Sequence, residues 1–176
     1  MLFADTMAIF FVVVGLLISF NGVWLLARSV WSGAVARSVI AHEDSMWKSF
    51  LIGLPVTALS IFIFIALSST KNGGAGLAAV LQLSIYLLFS SVGVAGLATI
   101  FGERLSRHPG DEAPWKATAR GGSVLALSYL FPFMGWFIVL PITTVIGCGA
   151  TIRAIWSSKR DRKSVEVSEA AQEMVG

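Results

Sequence analysis

Four uncharged, largely apolar stretches follow one another between Met7 and Trp156, with only short polar segments between them. One crossing of the hydrocarbon core needs about 20 apolar residues. The pattern therefore predicts an all-α, polytopic transmembrane bundle. The first span covers residues 7–27, with Trp24 and Trp31 placed to bracket its end at interfacial depth. In the segment that follows, Val30, Trp31, Ala34, Val35, Val39 and Ile40 alternate at helical spacing with Arg37, Ser38, His42 and Glu43. That spacing predicts either an amphipathic helix on the membrane surface or an extension of the first span. The second span covers residues 49–68 and contains Pro55, a candidate kink. Ser68-Ser69-Thr70-Lys71-Asn72-Gly73-Gly74 is rich in helix breakers and turns the chain into a third span, residues 75–100. Ser90, Ser91, Gly93, Ala95 and Gly96 give its second half the small side chains that let helices approach closely.

The last stretch, Gly121 to Ile152, has 32 residues without a charge. As one helix it would be roughly 48 Å long, well beyond the hydrocarbon thickness. Pro132, Gly135 and Trp136 are the structural turn that divides it, because proline cannot continue an internal helix ladder. Asp111, Glu112 and Pro114 read as a helix start, with acid at the positive end and proline in the first turn. The helices then cover residues 113–131 and 135–155. The fold is five crossings, or three spans plus a membrane-deep helical hairpin. Residues 1–158 form the transmembrane domain and residues 159–176 a polar cytoplasmic tail.

Charge selects this division. With the N-terminus outside and the C-terminus inside, 12 of the 13 basic residues lie inside, leaving only Lys71 outside. With four crossings the division is 7 to 6, which carries no orientation signal. No basic residue precedes the first apolar stretch, so a cleavable signal peptide is not expected. Hydrophobic residues make up 56% of the chain and charged residues 13%, about half the charge of a soluble domain. The net charge of +3 is a topology signal, and nothing points to a nucleic-acid partner. The single cysteine, Cys148, permits neither an intramolecular disulfide nor a cysteine metal cluster.

Chemistry is sparse. No catalytic, cofactor-binding or metal site is expected. His42 and His108 lie in separate polar segments and read as solvated histidines, without a His-Glu-x-x-His spacing. No acid or base falls in the core of a span, which argues against an ion-coupled carrier. Asn21, Gln82 and Tyr129 are candidates for helix packing or a narrow solute path. Glu103 and Arg104 are placed to latch the loop to Arg120 or to the last helix. Lys159, Arg160, Arg162 and Lys163 follow the last span and suit contact with anionic lipid.

Gly102-Glu103-Arg104-Leu105, the turn Pro132-Phe133-Met134-Gly135-Trp136 and the run Gly147-Cys148-Gly149-Ala150 carry a resemblance. Over its C-terminal part the chain resembles an uncharacterised bacterial multi-pass membrane module, found among membrane domains associated with bactofilin-like proteins. The resemblance implies a membrane module and transfers no catalytic residue. No bactofilin-type strand region is present. The expected function is a non-enzymatic integral membrane subunit or scaffold in the bacterial inner membrane. Its expected partners are the lipid bilayer and other integral membrane proteins or further copies of itself. The alternatives are a small-solute channel or facilitator, and a lipid-modifying enzyme built on His42, Glu43, His108 and Asp111.

Overall fold

The computed structural model describes residues 2–70, 72–106, 113–131 and 133–173, and the side chains of those between 5 and 160. Every regular element among them is helical. They are α1 (Leu2–Val30), α2 (Ser32–Ser68), α3 (Gly73–Arg104), α4 (Pro114–Tyr129), a π-helical turn (Gly135–Val139) and α5 (Leu140–Glu173). Four segments are long and apolar enough to cross a membrane: Asp5–Val30, Ser32–Ser68, Gly73–Arg104 and Gly135–Arg160. α4 has 16 residues, or about 24 Å, and ends at Tyr129 rather than near residue 131. α5 continues as helix through the polar tail to Glu173.

The centre of the bundle is the second half of α3. Residues 91–100 are buried on every side, as expected of a helix surrounded by others. α2 runs antiparallel to α3, with Ser38 beside Gly96, Thr57 bonded to Tyr86 and Gln82 bonded to Ser60. α4 runs antiparallel to both α1 and α3. Its Thr118 meets Arg28 and Thr99, Ser123 meets Asn21, and Gly121 sits on the Ala98 carbonyl. α5 lies on the opposite side. It starts at the Tyr129–Thr143 hydrogen bond, crosses α3 at Gly93–Gly147 and then follows α2 in reverse. Thr144 and Thr151, two turns apart, bond to the adjacent residues Ser90 and Phe89, so the crossing is oblique.

The chain thus reverses between α4 and α5, but the two arms do not pack along each other. Each packs on α3. Gly135 is buried at the reversal, where a Cβ would press on the carbonyl oxygens of Ser128 and Tyr129. Pro132 lies outside the described residues. At the tip, Phe131, Phe133, Met134, Trp136 and Phe137 are all exposed.

Three expectations change. Trp24 is not a ring set out against lipid. It is buried at 3% exposure, stacked on Phe20 and edge-on to Tyr129. The segment after α1 is not an extension of it, because the helix breaks at Trp31 and restarts at Ser32. That segment is helical, but Val35, Ser38 and His42 are buried in protein while Ile40 is exposed. Finally, α2 departs from helical geometry at Ser45, not at Pro55, where the helix continues.

Candidate functional site

The arginine-centred hydrogen bonding between helices gathers at one end of the bundle, in two knots on either side of α3. In the first, the Arg28 guanidinium of α1 donates to Thr99 Oγ1 of α3 at 2.8 Å and to Thr118 Oγ1 of α4 at 3.2 Å. The two threonine hydroxyls are 2.8 Å apart. Each also returns a hydrogen bond to its own helix, Thr99 to the Ala95 carbonyl and Thr118 to that of Pro114. One cation therefore joins three helices through hydroxyls, and Glu103 lies within Coulombic range of it.

The second knot is built around the break in α2. With Ser45 extended, the i to i+4 ladder opens, and a side chain inserted there is a recognised cause of a kink. Arg153 of α5 is that side chain. Its Nη1 donates to the carbonyls of Ala41 and Ser45 and to Ser49 Oγ, and its Nη2 pairs with Asp44. Asp44 is half exposed and also bonds Lys48 at 3.3 Å. One turn further along, Arg37 Nε donates to the Ala154 carbonyl at 3.1 Å. Small residues allow this proximity. A Cβ on Gly53 would overlap the Val145 carbonyl, and one on Gly149 that of Ser49.

Between α2 and α5 at this end lies a cavity of about 490 Å³, lined by Arg37, Ile40, Ala41, Arg153, Trp156, Ser157 and Arg160. A second cavity, about 560 Å³, lies between α2 and α3 toward the other end. It is almost wholly apolar, with Val56, Leu59, Ile63, Leu81, Ile85 and Phe89 in its walls beside Ser60 and Gln82.

The residues singled out in the sequence do not converge. Asn21 donates to the Leu17 carbonyl and to Ser123, Gln82 to Ser60, and Tyr129 shares a hydrogen bond with Thr143. These are three separate helix contacts: Asn21 and Tyr129 both lie where α4 meets α1, and Gln82 lies between α2 and α3. His42 is a correction: it is buried at 2% exposure, not solvated. Its Nδ1 is 2.6 Å from the Ser38 carbonyl, and its Nε2 has no hydrogen-bond partner among the described residues. Glu43 beside it is exposed. His108 and Asp111 lie outside the described residues. Among the described residues no three His, Cys, Asp or Glu side chains gather as metal ligands do. Glu103 is half-buried and Arg104 exposed at the end of α3, with Glu103 near Arg28. Lys159 and Arg160 are exposed on α5, and the side chains of Arg162 and Lys163 are not described.

Sequence reasoning missed both arginine knots. Arg28 directly follows the first uncharged stretch and Arg153 the last, and that position was the available signal. Comparison with known proteins finds no matching family model, curated protein or solved structure.

Proposed function

We propose that this chain is a non-enzymatic integral membrane subunit that associates laterally with other membrane proteins or with further copies of itself. The observation that carries the reading is the unfinished half of the bundle. The α4–α5 reversal stops level with the middle of α1, so beyond it only α1, α2 and α3 continue. There the α2–α3 pair leaves its apolar cavity open, and α1 presents Ile9, Phe10, Phe11, Val12 and Ile18 with little protein against them. Only 6% of the most apolar window of α1 is buried. Helices in lipid associate through shape and small polar contacts, and an open groove between two helices suits a third.

The test is photocrosslinking in native membranes from a benzophenone side chain at Leu81, in the cavity wall. The expected product is a discrete protein adduct, matched by a native mass above that of one chain. Lipid adducts alone, with a monomeric mass, would sink the reading. For orientation we propose an outside N-terminus and a cytoplasmic C-terminal tail in a bacterial inner membrane. The support is the clustering of basic residues, with Arg28, Arg37 and Arg153 at one end of the bundle. Cysteines at Ser69 and Ser164 report it through an impermeant reagent. In intact cells the first should label and the second should not, and the reverse result inverts the topology.

A further inference from the structure

We infer that the cavity between α2 and α5 at the basic end is a binding site for the phosphodiester headgroup of an anionic phospholipid. Three arginines line it, and their charges are not equivalent. Arg153 is committed: its Nη1 is spent on Ala41, Ser45 and Ser49, and its Nη2 on Asp44. Among the described residues Arg37 is held by one bond, from Nε to the Ala154 carbonyl. That bond fixes the plane of the guanidinium and leaves both Nη groups without a protein acceptor among the described residues. Arg160, one helical turn beyond Trp156, has no acidic partner among them either. Among the described residues the cavity therefore carries two guanidinium groups without an acidic partner, and the planar fork of arginine matches the paired oxygens of a phosphate.

The remaining walls point to a lipid as the source of that phosphate. Ile40 and Trp156 are exposed, at 64% and 59%, on the face turned away from the bundle. Each is a large apolar group beside the cations. An indole at this position offers an apolar body to an acyl chain and an N–H to a headgroup or ester oxygen. The volume, about 490 Å³, falls within the ordinary range of ligand pockets. The site is independent of the lateral-association reading, since it lies at the other end of the molecule from the apolar cavity.

The test uses the full chain in a neutral detergent micelle. It is titrated separately with phosphatidylglycerol and phosphatidylcholine, with bound lipid counted by native mass spectrometry. Phosphatidylglycerol should be retained in preference. Arg37→Gln and Arg160→Gln should each weaken its retention about fivefold, the effect of one basic residue at an anionic surface. Lys116→Gln, on α4, should leave it unchanged. Should Arg37→Gln fail to fold, Arg160→Gln still decides, because Arg160 is exposed and makes no hydrogen bond among the described residues. Equal retention of both lipids, or wild-type retention by the double variant, would overturn the inference. Displacement by excess inorganic phosphate would also overturn it, pointing to a soluble phosphate compound as the ligand.

Discussion

Arg153 shows how one side chain can stand in for broken backbone. A kinked helix leaves carbonyls without their i+4 donors, and in a membrane no water replaces them. The guanidinium supplies those donors from another helix, so its removal takes a charged donor from three acceptors at once, with only the weak Ser49 Oγ–Ser45 carbonyl bond of 3.5 Å left between two of them. Hydrogen bonds from a charged donor contribute about 1.5–3 kcal/mol each in isolation, and they are not additive. We expect Arg153→Ala to lower the unfolding free energy in mixed micelles by about 2–4 kcal/mol. Arg153→Lys should recover only part of this, because one ammonium cannot reach the spread of acceptors that the fork does. The ion pair with Asp44 is the smaller share, since that carboxylate is half exposed and screened. Asp44→Asn should therefore cost much less than Arg153→Ala. A larger loss in Asp44→Asn would mean that the salt bridge, not the capped break, is what holds α5 on α2. The position of Arg153 directly after the last uncharged stretch was legible, but its partners were not. The contact joins residues more than a hundred apart, and an extended serine in the middle of a helix has no sequence signature.

The helices themselves were legible, because uncharged runs of about 20 residues have few other fates. The faces they bury were harder to read. In a soluble helix the apolar stripe turns inward. In α2 the inward stripe is Val35, Ser38, His42, Ser49, Gly53 and Ser60, while Ile40, Trp47, Leu51 and Phe62 face out. Large apolar groups lose nothing by facing lipid, so close packing falls to small residues. That inversion is why His42, read as solvated, is buried. It also places the contacts between elements at glycines. A Cβ on Gly93 would overlap the Gly147 carbonyl, and one on Gly102 the Ala117 carbonyl. We expect Gly93→Leu to separate α3 from α5 and to cost more than about 3 kcal/mol, above the usual range for overpacking because backbone itself stands in the way. The matched control is Gly15→Ala on α1, where nothing lies within 4 Å of the added Cβ. There the change should be neutral or stabilising by up to about 1 kcal/mol, the difference in helix propensity. Unfolding of both variants in the same micelle checks the pair. Comparable losses would show that helix propensity, not helix contact, governs these positions.

At the scale of the whole molecule the decisive quantity is how deep the α4–α5 reversal lies. The sequence left two forms open, five crossings or three spans plus a membrane-deep hairpin, because length alone does not divide 32 uncharged residues. The contacts fix relative depth. Tyr129, the last residue of α4, packs edge-on against Phe20, while Thr118 near its start meets Arg28. Phe20 and Arg28 are eight residues apart on α1, roughly 12 Å along the axis. With Arg28 placed at one boundary of a hydrocarbon core about 30 Å thick, we expect the tip residues Phe133, Met134 and Trp136 near the middle of the bilayer. That depth would set Trp136 away from both interfaces. It also accounts for the exposure of the tip, since five large apolar side chains can stand uncovered there only against hydrocarbon. A nitroxide on Met134→Cys in reconstituted bilayers measures this depth through its relative accessibility to oxygen and to a water-soluble relaxant. We expect high oxygen accessibility, little access for the relaxant, and a depth within about 8 Å of the midplane, half the roughly 15 Å to either boundary. A label on Asn72→Cys, in the α2–α3 turn, should give the opposite result at the surface. Headgroup depth at Met134 would mean that α4 reaches the far side, that the chain makes five full crossings, and that the groove beyond the hairpin is already filled.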